Sequence, residues 1–344
     1  MVFGFFVAIG IVELVLALVD YTYSPMNVKV PMSEFRFYHI FEDKHFIYDP
    51  ETIWKGRPNF SVFNFQGFRG PILERPKSPH EYRIFTIGDS NTLGWDPPLN
   101  GGTNWPEFLG EILGRWNSCI KVVNAGVWGY ISFQGLQSLK KIWPYEPDMV
   151  IVSFGANDTL LVYVPDAEFS KRFVSRHNID FYLNHFRLGQ LVLSALDHAW
   201  LTPSNRSTVL AALSSVWSMP NNRTMVHRVS LEEYNNNLES IINETREHNA
   251  TSLLLTRPYT GDVPPGTWKV YAPDYRRATL ELAGKLGVPA IDIFELAKNQ
   301  PQYFGDESHF SEAGHRYAAE KIADFLISDV FANQVEFKDG LSCL

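Results

Sequence analysis

The sequence predicts an α/β protein, a three-layer α/β/α sandwich around a parallel sheet of five strands. Two patterns carry this prediction. Short and nearly continuous apolar runs recur from residue 83 onward, as in strands that are buried on both faces of a sheet. Segments with apolar residues at three- and four-residue spacing, typical of amphipathic helices, fall between these runs. Strands that alternate with helices pack as a sheet covered by helices on both faces.

The predicted elements follow one another in regular order. Strands are predicted at residues 83–87, 120–123, 149–154, 252–256 and 288–293. Helices are predicted at residues 105–116, 231–248, 274–286 and 311–325. In such a sandwich the ligand crevice lies beyond the carboxyl ends of the strands, so polar motifs at those ends are the candidates for a functional site.

The N-terminal residues form the most apolar segment of the chain. Residues 1–19 are apolar apart from Glu13, and about 20 such residues suffice to cross a bilayer. No Lys or Arg precedes Lys29, and no small-x-small site precedes Asp20, so a cleaved signal peptide is not indicated and the orientation stays open. We therefore expect a hydrophobic membrane anchor at residues 1–20, with an amphipathic or buried helix as the alternative.

Three further regions adjoin or interrupt the predicted core, which spans residues 83–335. Residues 21–82 are rich in aromatic, Pro and Asn residues and are predicted to form an irregular collar. Residues 160–229 form an insertion with helical periodicity at 188–200 and 208–217 and no obvious strand. A lid over the substrate and a segment that only packs against the core, without a role in substrate binding, fit this pattern about equally well. Residues 336–344 form a C-terminal tail.

Composition and charge exclude several classes of protein. The chain has 344 residues, of which 45% are hydrophobic and 20% charged, as in an ordinary globular protein. Its net charge of −8 gives no electrostatic footprint for nucleic acid, which we exclude as a partner. Cys119 and Cys343 lack ligand spacing, so two free or buried thiols are expected, with one disulfide as the alternative. No His/Asp/Glu cluster has metal-ligand spacing, so we expect no metal and no cofactor.

Four polar motifs follow predicted strands and therefore meet at one edge of the sheet. Gly88-Asp89-Ser90 follows the first strand, where a serine hydroxyl projects from a tight turn. Alone, this motif is better explained by a polar turn or helix cap. The others are the segments 124–129 after the second strand, 155–158 after the third and 306–309 after the last.

In this order the four blocks resemble the SGNH, or GDSL-like, hydrolase family, which is named for its Ser, Gly, Asn and His. The resemblance covers residues 83–326 without the insertion and implies a flavodoxin-like sandwich. It makes Ser90 the nucleophile and Asp306 and His309 the other members of a catalytic triad. The oxyanion hole would consist of the Ser90 and Gly129 backbone N–H groups and the Asn157 amide. Gly126 is a weaker alternative to Gly129.

The chemistry supports these roles independently of the family. A serine hydroxyl needs a base to remove its proton, and histidine can do this at neutral pH. A carboxylate three residues earlier can turn back to the other ring nitrogen, a role for Asp306 in which Glu307 is the competitor. Asp89, Asn124 and Asp158 are assigned to holding the loops. We expect His315, in the last helix, to face solvent or cap a helix.

The expected function is that of a serine esterase. Asn91 replaces the leucine of GDSL and Phe310 follows His309 where proline is common, which shifts the likeness toward membrane-tethered or exported bacterial members. Many of these act on polysaccharide acyl groups. We therefore expect a small-molecule or polysaccharide ester as substrate and an extracytoplasmic catalytic domain. The alternatives are a polysaccharide O-acyltransferase, a lipase or lysophospholipase, and a catalytically silent binding protein of the cell envelope.

Overall fold

The computed structural model of the chain describes residues 2–19, 45–49, 51–94, 102, 104–162, 187–188, 191, 226–260 and 271–333. The chain divides into two compact units. One consists of residues 1–43 and 162–226, and the other of residues 44–161 and 227–344. Most of the predicted insertion and the predicted C-terminal tail lie outside the described residues.

The first unit contains helix α1 (Val2–Leu18). Glu13, its one charged side chain, accepts the backbone N–H groups of Arg187 at 2.6 Å and Leu188 at 2.7 Å. The carboxylate therefore has partners in the insertion. Over the described parts of the chain, no helix combines the length and apolar character needed to cross a membrane. The predicted transmembrane helix is not supported.

A short β-hairpin stands where the sequence predicts only an irregular collar. Strands β1 (Phe46–Asp49) and β2 (Ile53–Gly56) pair antiparallel. The Asp49 carboxylate shapes the turn, because it accepts the backbone N–H groups of Glu51 at 3.1 Å and Thr52 at 3.0 Å. Trp54, in β2, is completely buried. This part of the collar therefore belongs to the packed core of the second unit.

The second unit is built around the predicted parallel sheet. The remaining strands are β3 (Tyr82–Gly88), β4 (Ile120–Asn124), β5 (Met149–Ser153), β6 (Leu161–Val162), β7 (Val226–His227), β8 (Thr251–Leu255) and β9 (Ala290–Ile291). Five of them form one parallel sheet in the order β4-β3-β5-β8-β9. This is the flavodoxin-like order, so the predicted fold is confirmed. At the two ends of the insertion, β6 and β7 pair as a separate sheet, although no strand was predicted there.

Helices cover both faces of this sheet. They are α2 (Ser90–Leu93), α3 (Trp105–Trp116), α4 (Ser132–Ile142), α5 (Leu231–Glu247), α6 (Ala272–Leu286), α7 (Ile293–Ala297) and α8 (Glu312–Phe325). α3 packs against α8, while α4 packs against α5 and α5 against α6. A buried apolar cluster joins α3 and α8 to Ile84, Ile151 and Leu253 of the sheet and takes none of its described residues from α4, α5 or α6. The two helix groups therefore form the outer layers of the sandwich.

The helix boundaries follow from capping side chains. Asn104 accepts the Glu107 N–H at the start of α3, and Ser230 forms a capping box with Glu233 at the start of α5. Ser311 accepts the Gly314 N–H and so begins α8. Each cap satisfies a backbone donor that the helix itself leaves unpaired.

Cys119, immediately before β4, is buried and disulfide-bonded. The expectation of two free thiols is therefore wrong, and the alternative of a disulfide holds for Cys119. The chain's other cysteine, Cys343, lies outside the described residues.

Candidate active site

Ser90 stands at a tight turn between β3 and α2. The strand ends at Gly88, Asp89 caps the helix by accepting the Asn91 N–H at 2.9 Å, and Ser90 is the first helical residue. A side chain at position 88 would place its Cβ 2.1 Å from Thr92 Oγ1 and 2.8 Å from the Ser153 carbonyl oxygen. Only glycine fits there, so the Gly-Asp-Ser motif follows from the packing of the turn.

A chain of hydrogen bonds joins Ser90 to the loop before α8. Ser90 Oγ lies 2.8 Å from His309 Nε2, and His309 Nδ1 lies 2.7 Å from Asp306 Oδ2. The other Asp306 oxygen accepts the backbone N–H groups of Ser308 at 2.7 Å and His309 at 2.8 Å. With Nδ1 donating to the carboxylate, Nε2 is left to accept the serine proton. The three predicted triad residues are therefore in direct contact.

The Asp306 carboxyl is ionised, which favours its hydrogen bond with His309. Partial burial opposes its ionisation, but hydrogen bonds from His309 and Ser308 outweigh that effect and hold the pKa of Asp306 well below its usual range. Glu307, the competing acid of the sequence prediction, uses its backbone carbonyl to accept the Thr260 N–H at 3.0 Å. The carboxylate on His309 is that of Asp306.

Gly129 and Asn157 lie on adjacent loops. Asn157 Nδ2 donates to the carbonyl of Tyr130, the residue after Gly129, at 3.0 Å. The loop that carries Gly129 is fixed to the end of β3, since Val127 donates its N–H to the Gly88 carbonyl at 3.0 Å. Within the described part of the chain, no acceptor is found for the Ser90 N–H, the Gly129 N–H or the second Asn157 amide hydrogen.

Gly126, the weaker alternative to Gly129, has a packing role. A Cβ at this position would lie 2.7 Å from the Leu93 nitrogen and 2.9 Å from Thr92 Cβ. The Gly126 N–H is also already bonded to Asn124 Oδ1 at 2.9 Å. This glycine therefore lets the loop approach α2 and has no donor left for a substrate.

The polar residues assigned to holding loops form buried hydrogen bonds. Asn124 Nδ2 donates to the Thr92 carbonyl at 2.7 Å and to Asn104 Oδ1 at 3.1 Å, which joins the end of β4 to α2 and to the residue that caps α3. Asp158 accepts the Ser132 N–H at 2.8 Å and the Gly155 N–H at 3.0 Å and so fixes the first residue of α4. Burial raises the pKa of Asp158 to about 6, although these hydrogen bonds act in the opposite direction.

His315 is buried, so the expectation that it faces solvent is wrong; capping a helix, the alternative, holds. Its Nδ1 accepts the Trp105 N–H at the start of α3 at 3.3 Å, and its ring meets Phe310 edge-on. Burial lowers the pKa of His315 to about 3, with nearby Arg257, Arg69 and His309 acting in the same direction. A neutral ring is therefore part of the core beneath the site.

Arg257 is a site residue that sequence reasoning missed. It follows β8, is buried, and forms an ion pair with Asp89 at 2.8 Å. Its Nη1 donates to the Ser308 carbonyl at 2.5 Å. One guanidinium therefore joins the residue before Ser90 to the residue before His309. The signal available in the sequence was its position after a strand, at the edge where the other motifs meet.

A parallel α/β sandwich that carries a hydrogen-bonded Ser-His-Asp chain at the carboxyl edge of its sheet has the architecture of a serine hydrolase. Comparison with known proteins agrees with this class. The model of the GDSL-like lipase/acylhydrolase family matches residues 86–317. The chain therefore belongs to this family.

The two relatives compared by sequence match a shorter part of the chain than the family model does. An arylesterase from Vibrio mimicus is 29% identical over 84 residues, which cover 24% of this chain and 41% of that protein. The thioesterase 1/protease 1/lysophospholipase L1 of Escherichia coli K12 is 32% identical over 83 residues, covering 24% of this chain and 38% of that protein. The chain thus spans about two fifths of the length of these relatives. A lipase/acylhydrolase structure from Enterococcus faecalis covers 71% of this chain and 95% of its own, with 17% identity and a TM-score of 0.45.

Proposed function

We propose that the protein is a serine esterase that acts through an acyl-serine intermediate on Ser90. The observation that carries the proposal is the pair of hydrogen bonds from Ser90 Oγ to His309 Nε2 and from His309 Nδ1 to Asp306. A serine hydroxyl is a weak nucleophile, and an adjacent base oriented by a carboxylate is the arrangement that activates it.

The proposed reaction has two stages. His309 Nε2 takes the Ser90 proton as Oγ attacks the ester carbonyl, and the imidazolium then returns that proton to the departing alcohol oxygen, which leaves an acyl-serine. Water, deprotonated by the same nitrogen, then attacks the acyl carbonyl. The imidazolium gives this proton to Ser90 Oγ as the bond between the acyl carbon and Oγ breaks, which releases the carboxylic acid and restores the serine hydroxyl. The ionised Asp306 stabilises the imidazolium in both stages.

The oxyanion that forms in each stage needs donors that are already in place. The Ser90 N–H, the Gly129 N–H and the second Asn157 amide hydrogen are suited to this because no described group accepts them. Removal of one such donor costs roughly 3–4 kcal/mol of transition-state stabilisation in other hydrolases. We assign the oxyanion hole to these three groups.

For the substrate we propose an O-acyl group of a carbohydrate, in particular acetyl. Support comes from Asn91 and Phe310, which shift the resemblance toward membrane-tethered or exported family members, many of which act on polysaccharide acyl groups. An aromatic content of 14% also fits, since aromatic rings often line pockets for sugars. We also propose an extracytoplasmic location for the catalytic unit. The disulfide-bonded Cys119 supports this, because disulfides persist in oxidising compartments.

A panel of p-nitrophenyl esters from acetate to palmitate, together with an acetylated xylo-oligosaccharide, tests the proposal. We expect hydrolysis of the acetyl esters to exceed that of the long-chain esters and to vanish in Ser90→Ala. A preference for palmitate would favour a lipase or lysophospholipase and contradict the carbohydrate assignment. Acyl transfer to an added oligosaccharide, without release of acetate, would favour the O-acyltransferase. Full activity of folded Ser90→Ala would refute the acyl-serine mechanism.

A further inference from the structure

The loop after β4 is held by three successive backbone carbonyls. The Trp128 carbonyl accepts the indole N–H of Trp54 at 2.9 Å, and the Gly129 carbonyl accepts Arg228 Nη1 at 2.7 Å. The Tyr130 carbonyl accepts the Asn157 amide at 3.0 Å. Each donor comes from a different part of the chain. The peptides on both sides of Gly129 are therefore fixed by side chains that belong to other elements.

The bond from Trp54 determines where the Gly129 N–H points. The Trp128 carbonyl and the Gly129 N–H belong to one planar trans peptide, so they point in opposite directions. When the indole holds the carbonyl, the N–H is directed away from Trp54 and cannot rotate independently. Gly129 has a φ of 74°, a backbone conformation that suits glycine, so this orientation needs no strained side chain.

Trp54 is itself held in place. Its side chain is completely buried, and its ring meets the ring of Tyr130 edge-on at 5.7 Å. The Trp54 carbonyl accepts the Tyr130 hydroxyl at 2.6 Å and the Thr52 hydroxyl at 3.0 Å. The hairpin therefore donates a hydrogen bond to the loop and accepts one from it. Trp54 precedes the residues 86–317 that match the family model.

We propose that Trp54 is a positioning residue of the oxyanion hole, which recruits the N-terminal collar to the active site by aiming the Gly129 N–H at the developing oxyanion. The inference rests on the proposed esterase function and extends it to a residue outside the family's motifs. A donor held in advance stabilises the transition state without reorganisation, whereas a rotated peptide loses that benefit while substrate binding is preserved.

The test removes the indole N–H in two ways. Trp54→Phe deletes the donor, and Trp54 replaced by 3-benzothienylalanine deletes it while keeping the size and shape of the ring, which protects against a folding defect. Trp143→Phe is the matched control, because the Trp143 indole donates to the side chain of Glu244 on α5, at 2.6 Å, and not to a carbonyl of the loop. kcat and KM for p-nitrophenyl acetate, the affinity for a boronic acid transition-state mimic, and Tm are measured for each.

We expect both Trp54 variants to lose roughly 10- to 100-fold in kcat, with KM within about 2-fold of the wild type. The affinity for the boronic acid should fall in parallel, because this ligand also forms a tetrahedral anion. Trp143→Phe should keep its kcat even if its Tm falls. Wild-type kcat in the benzothienylalanine variant, or an equal loss in Trp143→Phe, would overturn the inference while leaving the esterase function intact. A wild-type protein that hydrolyses no ester would overturn the proposed function first, and the inference with it.

Discussion

Asn91 and Phe310 occupy the two positions at which the site departs from the motifs of its family, and they contact each other. Asn91 Oδ1 accepts the backbone N–H of Phe310 at 3.0 Å, and both residues are buried. A proline at position 310 has no N–H to donate, and a leucine at position 91 has no acceptor. The two departures therefore form one hydrogen bond between the loop of Ser90 and the loop of His309.

This pairing predicts non-additive effects on stability. Asn91→Leu leaves the Phe310 N–H without its acceptor and Phe310→Pro leaves the Asn91 oxygen without its donor, each a cost of about 1–3 kcal/mol. Asn91→Leu should cost less in the Phe310→Pro background, with a coupling of about 1–2 kcal/mol. Urea unfolding of the four proteins measures this coupling. Strictly additive effects would show that the hydrogen bond does not link the loops.

Because His315 is buried, we predict that the free energy of unfolding changes with pH. Because burial lowers its pKa in the folded state to about 3, the unfolded chain binds a proton that the folded chain does not as the pH falls below about 6.5. Its contribution to the free energy of unfolding is therefore complete above that pH and declines by about 2 kcal/mol between pH 7 and pH 5.

The matched variant is His315→Asn, which keeps an acceptor for the Trp105 N–H but cannot be protonated. Its free energy of unfolding, measured by urea at pH 7 and pH 5, should fall less between these values than that of the wild type. An equal fall in both proteins would mean that His315 is not the group responsible.

At the scale of elements, the site consists of loops from separate strands that buried polar residues hold together. Arg257, after β8, contacts both the turn of Ser90 and the loop of His309. Asn124, at the end of β4, holds the carbonyls of α2, and Asp158, after β5, holds the start of α4. The distance between Ser90 and His309 therefore depends on groups that take no part in the reaction.

Arg257→Lys tests this dependence. Lysine keeps the charge but cannot contact Asp89 and the Ser308 carbonyl with one planar group. We expect kcat to fall by roughly 10-fold or more with a small change in KM, and Tm to fall as well. Arg277→Lys is the control, since Arg277 makes an exposed ion pair with Asp274 within α6 at 2.7 Å. Unchanged kcat in Arg257→Lys would show that Arg257 contributes to stability alone.

The sheet could be predicted from the sequence because each of its strands is a short apolar run. These strands are buried on both faces of the sheet, so polar and apolar residues do not alternate along them. α4 was missed because Gly135 and several polar residues interrupt its apolar stripe. Gly135 is needed there, since a Cβ would lie 2.3 Å from the ring of Phe154. The hairpin was missed because its strands have only four residues each.

The residues of the site could be predicted only where a local motif marks them. Ser90, Asp306 and His309 could be named because each lies in a short motif at the end of a strand or before a helix. Trp54 could not, because its contact with the Trp128 carbonyl lies 74 positions away along the chain and leaves no local pattern. The position of Arg257 after a strand was a signal, but its contact with Asp89 lies 168 positions away and could not be read from the sequence. His315 was misplaced because a lone histidine in a helix does not reveal which face is buried.

At the scale of the whole molecule, the larger unit contains the sheet, the collar hairpin and the complete Ser-His-Asp chain. The collar lies before the family's motifs in the sequence, but Trp54 and Arg69 are buried within this unit. Arg69 pairs with Glu107 of α3 at 2.8 Å and donates to the Leu93 carbonyl at the end of α2 at 3.1 Å. We therefore regard the described part of the collar, residues 45–49 and 51–82, as part of the catalytic unit.

Covalent labelling tests directly whether Ser90 is a nucleophile that His309 activates. A fluorophosphonate probe phosphonylates an activated serine, and peptide mapping by mass spectrometry identifies the modified residue. We expect stoichiometric labelling of Ser90 in the wild type, at least about 100-fold slower labelling in His309→Ala because the base is lost, and none at this position in Ser90→Ala. Folded wild-type protein that stays unlabelled at Ser90, or that is labelled at another serine, would contradict this role of Ser90.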